Sequence, residues 1–408
     1  MPLHRLDEAL RAETAQLNSE GRAKLPERII VGYRPADGKQ GPRYLLEGND
    51  REFLRMNSNS YLSLSNHPML IEAADVACRK FGVGPGAVRF IDGTFRDHIL
   101  LEERIARFLG KPAAKIFNSA YTANLGLALT IHSSKTFWIG DELNHNSIIR
   151  AMRICNAPRE SRAIFKHNDA RDLQRCLKNV RGEFERAIVI FDGIFSMRGD
   201  HAPLKEIAEL AKEYDQRFKD GVVTVMDDSH GIGAYGITGR GTEEVCNSPV
   251  DIIVGTFGKA FGVNGGFIAG SKELMEAVRQ KADTYIYTNP LGVADCAAAV
   301  KATEFVDSAE GRERLAALKE RTEQFRRGLS SKAMESIPGI HPIVPVLVRD
   351  TDRTRKTIAK LYDEGLLAVG LTFPVVPRGQ ETIRFQINAA HTEDDVDFAL
   401  RVLSKAIK

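Results

Sequence analysis

The chain has 408 residues, of which 43% are apolar and 27% charged, enough to bury a large core and build two or three structural units. Lysine and arginine (57) exceed aspartate and glutamate (54) by only three, so no electrostatic footprint for nucleic acid is present. No apolar run approaches the roughly 20 residues that cross a bilayer, and the amino terminus lacks an apolar signal core. Cys78, Cys155, Cys176, Cys246 and Cys296 form no C-x-x-C pair and show no metal-ligand spacing. They read as reduced thiols in a soluble, cytoplasmic protein.

Leu3, Leu6, Leu10 and Leu17 share one helical face, which predicts an amphipathic helix over 3–24 that stops near Pro26. Short β-like runs follow at 28–33, 44–46 and 53–56. Helices are expected at 68–81, 98–109, 121–131, 145–155 and 203–214. They alternate with strand-like runs at 115–118, 136–139, 187–191, 222–226 and 251–254. That alternation predicts an α/β fold with a mostly parallel sheet wrapped by helices. Beyond Pro290 a helical stretch over 292–330 leads into a strand at 341–348, a helix at 353–364, a strand at 383–387 and a helix at 393–407. The expected division is an amino-terminal segment (1–58), a large domain (59–290) and a smaller α+β domain (291–408). Ligands of open α/β sheets sit beyond the carboxyl ends of strands, so polar clusters at strand exits are the places to look.

Two such clusters stand out. The run Asp227-Asp228-Ser229-His230 follows an apolar strand. An aspartate beside a pyridine nitrogen keeps it protonated, and a protonated pyridine is the electron sink of pyridoxal phosphate. His230 could reach that cofactor's phenolic oxygen. The plainer alternative is that these residues cap a loop. The second run is Gly255-Thr256-Phe257-Gly258-Lys259-Ala260-Phe261-Gly262. Its glycines let the backbone approach a ligand, and a lysine kept from water forms imines readily. A lone lysine is ordinarily a solvated surface residue, but Phe257, Ala260 and Phe261 are poor company for one. A phosphate loop would require glycine in place of Ile253 and a hydroxyl in place of Ala260. Gly231-Ile232-Gly233-Ala234-Tyr235-Gly236 fits G-x-G-x-x-G, yet Asp227–His230 intervenes before it and Ile237–Gly241 is a poor helix start.

The two runs, about thirty residues apart, resemble the α-oxoamine synthases, among them glycine C-acetyltransferase (2-amino-3-ketobutyrate CoA ligase), 8-amino-7-oxononanoate synthase, 5-aminolevulinate synthase and serine palmitoyltransferase. The resemblance extends from about residue 53 to 405. It takes in Tyr61-Leu62-Ser63-Leu64-Ser65-Asn66-His67-Pro68, Val88–Thr94 with His98, Asn118–Asn124, Asp141-Glu142-Leu143-Asn144-His145, Asp192–Met197 and Arg384–Thr392. It looks nearest to glycine C-acetyltransferase.

The resemblance implies a fold-type-I pyridoxal-phosphate transferase, like aspartate aminotransferase, that condenses glycine, alanine or serine with an acyl-CoA thioester. It implies that Lys259 holds the cofactor as a Schiff base and shuttles the Cα proton. Asp227 would pair with the pyridine nitrogen, His230 with the phenolic oxygen, and His145 would stack on the ring. Ser196 would hold the ring's polar edge. Ala120 and Tyr121, opening a helix, would hold the phosphate together with Thr256. Thr288 and Asn289 would reach the cofactor of the neighbouring subunit in a homodimer, and Arg384 would take the amino-acid carboxylate. Other reactions of the same cofactor (aldolase, decarboxylase, aminotransferase) and a non-catalytic partner subunit are the competing readings. The sequence departs from its relatives at Ser60, where asparagine is common and assists the carboxylate. It departs again at Asn146, Arg150 and Pro290-Leu291-Gly292-Val293. These changes surround the substrates more than the cofactor.

Overall fold

The computed structural model describes residues 3–407. At its centre is a seven-stranded sheet in the order Ala113–Phe117, Gly266–Gly270, Ile252–Thr256, Val222–Asp227, Arg186–Asp192, Thr136–Asp141, Arg162–Phe165. Every pairing is parallel except those of Gly266–Gly270, which runs antiparallel to both neighbours. The interior parallel strands are apolar on both faces because helices cover both sides, whereas the edge strand Arg162–Phe165 fully buries only Phe165. Successive residues point into different cores: Ala187, Val189 and Phe191 enter one, Ile188 and Ile190 the other. This is the period-two alternation of a strand shared between two helical layers.

The helices follow their apolar periodicity. Leu204–Tyr214 buries Leu204, Ile207, Leu210, Ala211 and Tyr214 on one face. Ser119 and Ser271 cap Ala120–Ile131 and Lys272–Lys281 by accepting from the amides of Thr122 and Leu274. The helical stretch expected over 292–330 is two helices, Val293–Val306 and Ala309–Ser331. The break falls where the Ser308 side chain accepts from the Gly311 amide and starts the second helix.

The carboxy-terminal part holds a three-stranded antiparallel sheet of Ile343–Leu347, Thr382–Gln386 and Val369–Leu371, packed with Thr351–Asp363 and Glu393–Ala406. Near the amino terminus, Ile30–Arg34, Arg43–Leu46 and Asn49–Arg55 form a meander whose last strand pairs in parallel with Leu366–Leu367. The helix His4–Ser19 buries none of its residues, and Leu3, Leu6 and Leu10 are 60%, 52% and 48% exposed. Among the described residues no helix is long and apolar enough to cross a membrane.

Candidate active site

Three neighbouring parallel strands end on polar residues at one edge of the sheet: Asp192, Asp227 and Thr256. Asp192 and Asp227 are paired in register, so two buried carboxylates stand side by side. Asp227 accepts from Asn124 Nδ2 at 2.6 Å and from the Ser229 amide at 3.1 Å. Asp192 accepts from the His145 amide at 2.7 Å. Burial, followed by the nearby charge of Asp227, pushes Asp192 well above the usual carboxylate range. His145 caps Asn146–Ile154: its Nδ1 lies 2.7 Å from Ser147 Oγ and accepts from the Ser147 amide.

These groups line a cavity of about 230 Å³, together with Ala120, Tyr121, Ser196, Ser229, His230, Thr256 and Lys259. Lys259 occupies a tight turn after the strand Ile252–Thr256, closed by the Gly262 amide donating to the Lys259 carbonyl at 3.0 Å. Gly262 has φ +72° and lies so close to the Leu64–Ser65 backbone that a Cβ would collide with the Ser65 amide. Phe257, Ala260 and Phe261 are buried, and this keeps the turn folded inward. Burial lowers the Lys259 amine to about 8, while Asp227 and Asp192 partly offset the shift. That departure from a solvated lysine is what the apolar flanks of the turn predict.

His230 is buried, with Nδ1 2.7 Å from the Tyr61 hydroxyl. Burial, then the charge of Lys259, holds it well below the usual imidazole range. Arg384, on the strand Thr382–Gln386, donates from Nη1 to the Ser196 carbonyl at 2.6 Å. Its Nε is buried without a partner. Desolvation lowers its pKa from the ordinary guanidinium value. Thr256 donates its hydroxyl proton to the Gly265 carbonyl at 2.8 Å and accepts from the Gly258 amide. The amides opening Ala120–Ile131 face the cavity, and Gly266 lets them sit close: a Cβ there would collide with the Ala120 nitrogen.

Four expected residues are not among those that line this cavity: Arg384, which reaches it only through the Ser196 carbonyl, and Ser60, Thr288 and Asn289. Ser60 lines a smaller one with Tyr33, Tyr44, Arg55 and Asn388, its Oγ 3.1 Å from Ser65 Oγ. Thr288 donates to the Thr284 carbonyl, and the Asn289 carbonyl accepts from Asn118 Nδ2. His98 is a structural pin: Nδ1 accepts from the Phe95 amide, and Nε2 donates to the Leu291 carbonyl at 2.7 Å. Gly231–Gly236 forms turns, and no helix opens there, in keeping with the rejection of a dinucleotide fingerprint.

Sequence reasoning gave no role to Asn124, Tyr61, His341 or His167. His167 sits between Asp141 and Asp200, 3.2 Å from each, with its ring edge-on to Phe195 at 4.4 Å. Burial alone depresses its pKa, but hydrogen bonds to Asp141 and Asp200 outweigh this and raise it to about 9. The folded value exceeds the ordinary 6.5. This clamp therefore contributes its full stability below pH 6.5 and loses it as pH rises through about 9. The thermal midpoint of His167→Gln should accordingly trail the parent at about pH 6 and approach it at about pH 10. An equal deficit at both values would rule out a charged clamp.

The donor set fits pyridoxal phosphate: an inward lysine, a carboxylate at a strand end, an imidazole and free helix-start amides converge on one cavity. Ser229 Oγ, on the cavity wall, and Oδ1 of Asn124, which bonds Asp227, are buried without partners. Residues 51–403 match the aminotransferase class I and II family. The chain is similar to the 8-amino-7-oxononanoate synthase of Thermosipho melanesiensis, 38% identical over 92% of this chain and 93% of that protein. It is equally similar to the 2-amino-3-ketobutyrate coenzyme A ligase of Escherichia coli, 38% identical over 96% and 94% of the two chains. The structure resembles the serine palmitoyltransferase of S. paucimobilis, solved with a bound PLP–myriocin aldimine. The TM-score is 0.86 at 27% identity, over 99% of this chain and 98% of that one. Cavity, fold and kinship agree: the chain belongs to the aminotransferase class I and II family and, within it, to the α-oxoamine synthases, fold-type-I enzymes that use pyridoxal phosphate for C-acyl transfer.

Proposed function

We propose that this enzyme condenses a small amino acid, glycine first, with an acyl-CoA thioester, and that Arg384 receives the amino-acid carboxylate. The observation that carries this is a half-buried guanidinium whose Nε has no partner, adjoining Ser196 at the cavity wall. A carboxylate is the group that such a site lacks.

Pyridoxal phosphate, when bound, supplies the sink for the electron pair released as the Cα proton leaves. Lys259 would hold the cofactor and accept that proton, its lowered pKa supplying some neutral amine near neutrality. Asp227 would hold the ring nitrogen in its protonated form; its own carboxylate is fixed by Asn124 and the Ser229 amide. His230 would donate toward the phenolic oxygen. His145, whose orientation is set by Ser147 and Asp192, would stack on the ring and hydrogen-bond the thioester carbonyl. The Ala120 and Tyr121 amides would bind the phosphate. Thr256 would join them by turning its hydroxyl proton away from the Gly265 carbonyl. Ser196 would border the ring's polar edge. Residues 59–290 serve as the cofactor-binding unit, 291–408 as a smaller domain bringing Arg384, and 1–58 as the amino-terminal segment.

Thiol release from acyl-CoAs of rising chain length, with glycine, alanine and serine in turn, tests the reaction. Arg384→Ala should raise the amino-acid KM by tenfold or more, the loss of a charged hydrogen bond of roughly 1.5–3 kcal/mol. Ser60→Asn should change the ranking of the three amino acids. An unchanged KM in Arg384→Ala would place the carboxylate elsewhere.

The active unit is a homodimer in which Thr288 and Asn289 complete the neighbouring site. In their own subunit they stand outside the cavity, on a segment pinned by His98. The Val83 carbonyl lies 3.8 Å from the position of a Cβ on Gly292, and the apolar side chains of Val83, Ile91 and Tyr287 are each exposed. Sedimentation should give a dimer, and Asn289→Ala should weaken cofactor retention. A fully active monomer at assay concentration would rule this arrangement out.

A further inference from the structure

We propose that Tyr61 sets the tautomer of His230: the phenol donates to Nδ1, so the ring's single proton sits on Nε2, the nitrogen turned away from Tyr61. Tyr61 is fully buried and takes no part in the cavity wall, whereas His230 does. Its role is therefore to position His230 from behind.

The proton count decides the direction of the bond. Tyr61 has one hydroxyl proton and two acceptors within reach, His230 Nδ1 at 2.7 Å and Asn59 Oδ1 at 3.4 Å. Asn59 Oδ1 already accepts from Gln386 Nε2. The short bond to Nδ1 is the one with good geometry, and the longer contact is marginal. With Nδ1 accepting, the proton of a neutral imidazole must occupy Nε2. Lys259, His341, Arg384 and His145 all bear on this ring and disfavour a second proton.

A third ring completes the support. The Ile343 amide donates to His341 Nδ1 at 3.1 Å, so His341 carries its proton on Nε2 and donates to the His230 carbonyl at 2.9 Å. Tyr61 meets both imidazoles edge-on, with centroids 6.1 Å from His230 and 5.4 Å from His341. The main chain of His230 is thus held by His341, and its ring nitrogen Nδ1 by Tyr61. The consequence rests on the reading of His230 as the partner of the cofactor's phenolic oxygen: an Nε2 proton makes it a donor there, and a bare Nε2 would repel that oxygen.

The test is magic-angle-spinning 15N NMR of histidine-labelled holoenzyme, with His230 assigned by comparison with His230→Asn. The parent should show His230 Nδ1 unprotonated and Nε2 protonated; the opposite pattern overturns the proposal without recourse to any variant. Tyr61→Phe keeps the ring and removes the donor, so it should convert His230 to a mixture or to the Nδ1-protonated form. His341→Gln should leave the tautomer unchanged. Tyr61→Phe should also raise the pH midpoint of the bound cofactor's absorbance change by about one unit, the size of one lost hydrogen bond. A tautomer switch with an unmoved midpoint would support the role of Tyr61 and refute the contact between His230 and the cofactor. An unchanged tautomer in Tyr61→Phe would refute the role itself.

Discussion

Lys259→Ala should leave a folded protein from which borohydride recovers no cofactor-bearing peptide, with kcat/KM lowered by at least about a thousandfold. On the proposed reading two roles vanish together: covalent attachment, and a proton shuttle of a kind that alone contributes roughly 10²–10⁴. The lowered pKa sharpens the expectation. An amine titrating at about 8 is unprotonated in about one molecule in ten at pH 7, against roughly three in ten thousand at the ordinary lysine value of 10.5. Attachment of the cofactor to apoenzyme should therefore accelerate with pH and level off above about 8. Peptide mapping after reduction of the parent identifies the modified residue. A reducible adduct surviving on protein lacking Lys259 would exclude this lysine.

Asp227→Asn should keep the fold and lose at least about tenfold in the exchange of the glycine Cα proton with solvent deuterium, measured without acyl donor. The asparagine retains the size of the side chain and one oxygen, which can accept from either Asn124 Nδ2 or the Ser229 amide, two donors that bond different oxygens of Asp227. What disappears, on the proposed reading, is the charge opposite the ring nitrogen, a charged hydrogen bond worth roughly 1.5–3 kcal/mol. The neighbouring Asp192 supplies an internal check. Its pKa is raised by burial first and by Asp227 second, so it should titrate lower in the variant. Unaltered Cα exchange would mean that the nitrogen's proton is held by some other group.

Most of the sheet could be read from the sequence because its interior parallel strands are apolar on both faces and their helices carry one-sided apolar stripes. Two strands could not: the edge strand Arg162–Phe165, where only Phe165 is fully buried, and Gly266–Gly270. The latter has only three side chains between glycines, and its place comes from pairing on both edges. At the site, Lys259, Asp227 and His230 were legible because strand exits carrying such residues are chemically unusual. Asn124 lies inside a helix among apolar neighbours, and Tyr61 looks like any core aromatic. Their partners are distant in sequence, so only the folded chain reveals a role. Thr256 was legible as a hydroxyl at a strand exit, but its bond to the Gly265 carbonyl was not, because that carbonyl precedes the adjoining antiparallel strand.

The pairing of Asn49–Arg55 with Leu366–Leu367 bears on how the enzyme is made. On the ribosome, the amino-terminal meander emerges long before its carboxy-terminal neighbour exists, so its last strand waits with an open edge. The central sheet can assemble in the meantime, since all seven strands lie between Ala113 and Gly270. His341 and Arg384 arrive only with the final strands. Contacts of such long sequence separation form slowly and late. A stalled nascent chain ending before Thr382 should therefore contain every residue that lines the cavity yet lack Arg384, so the guanidinium beside Ser196 joins the site only in the released, full-length chain.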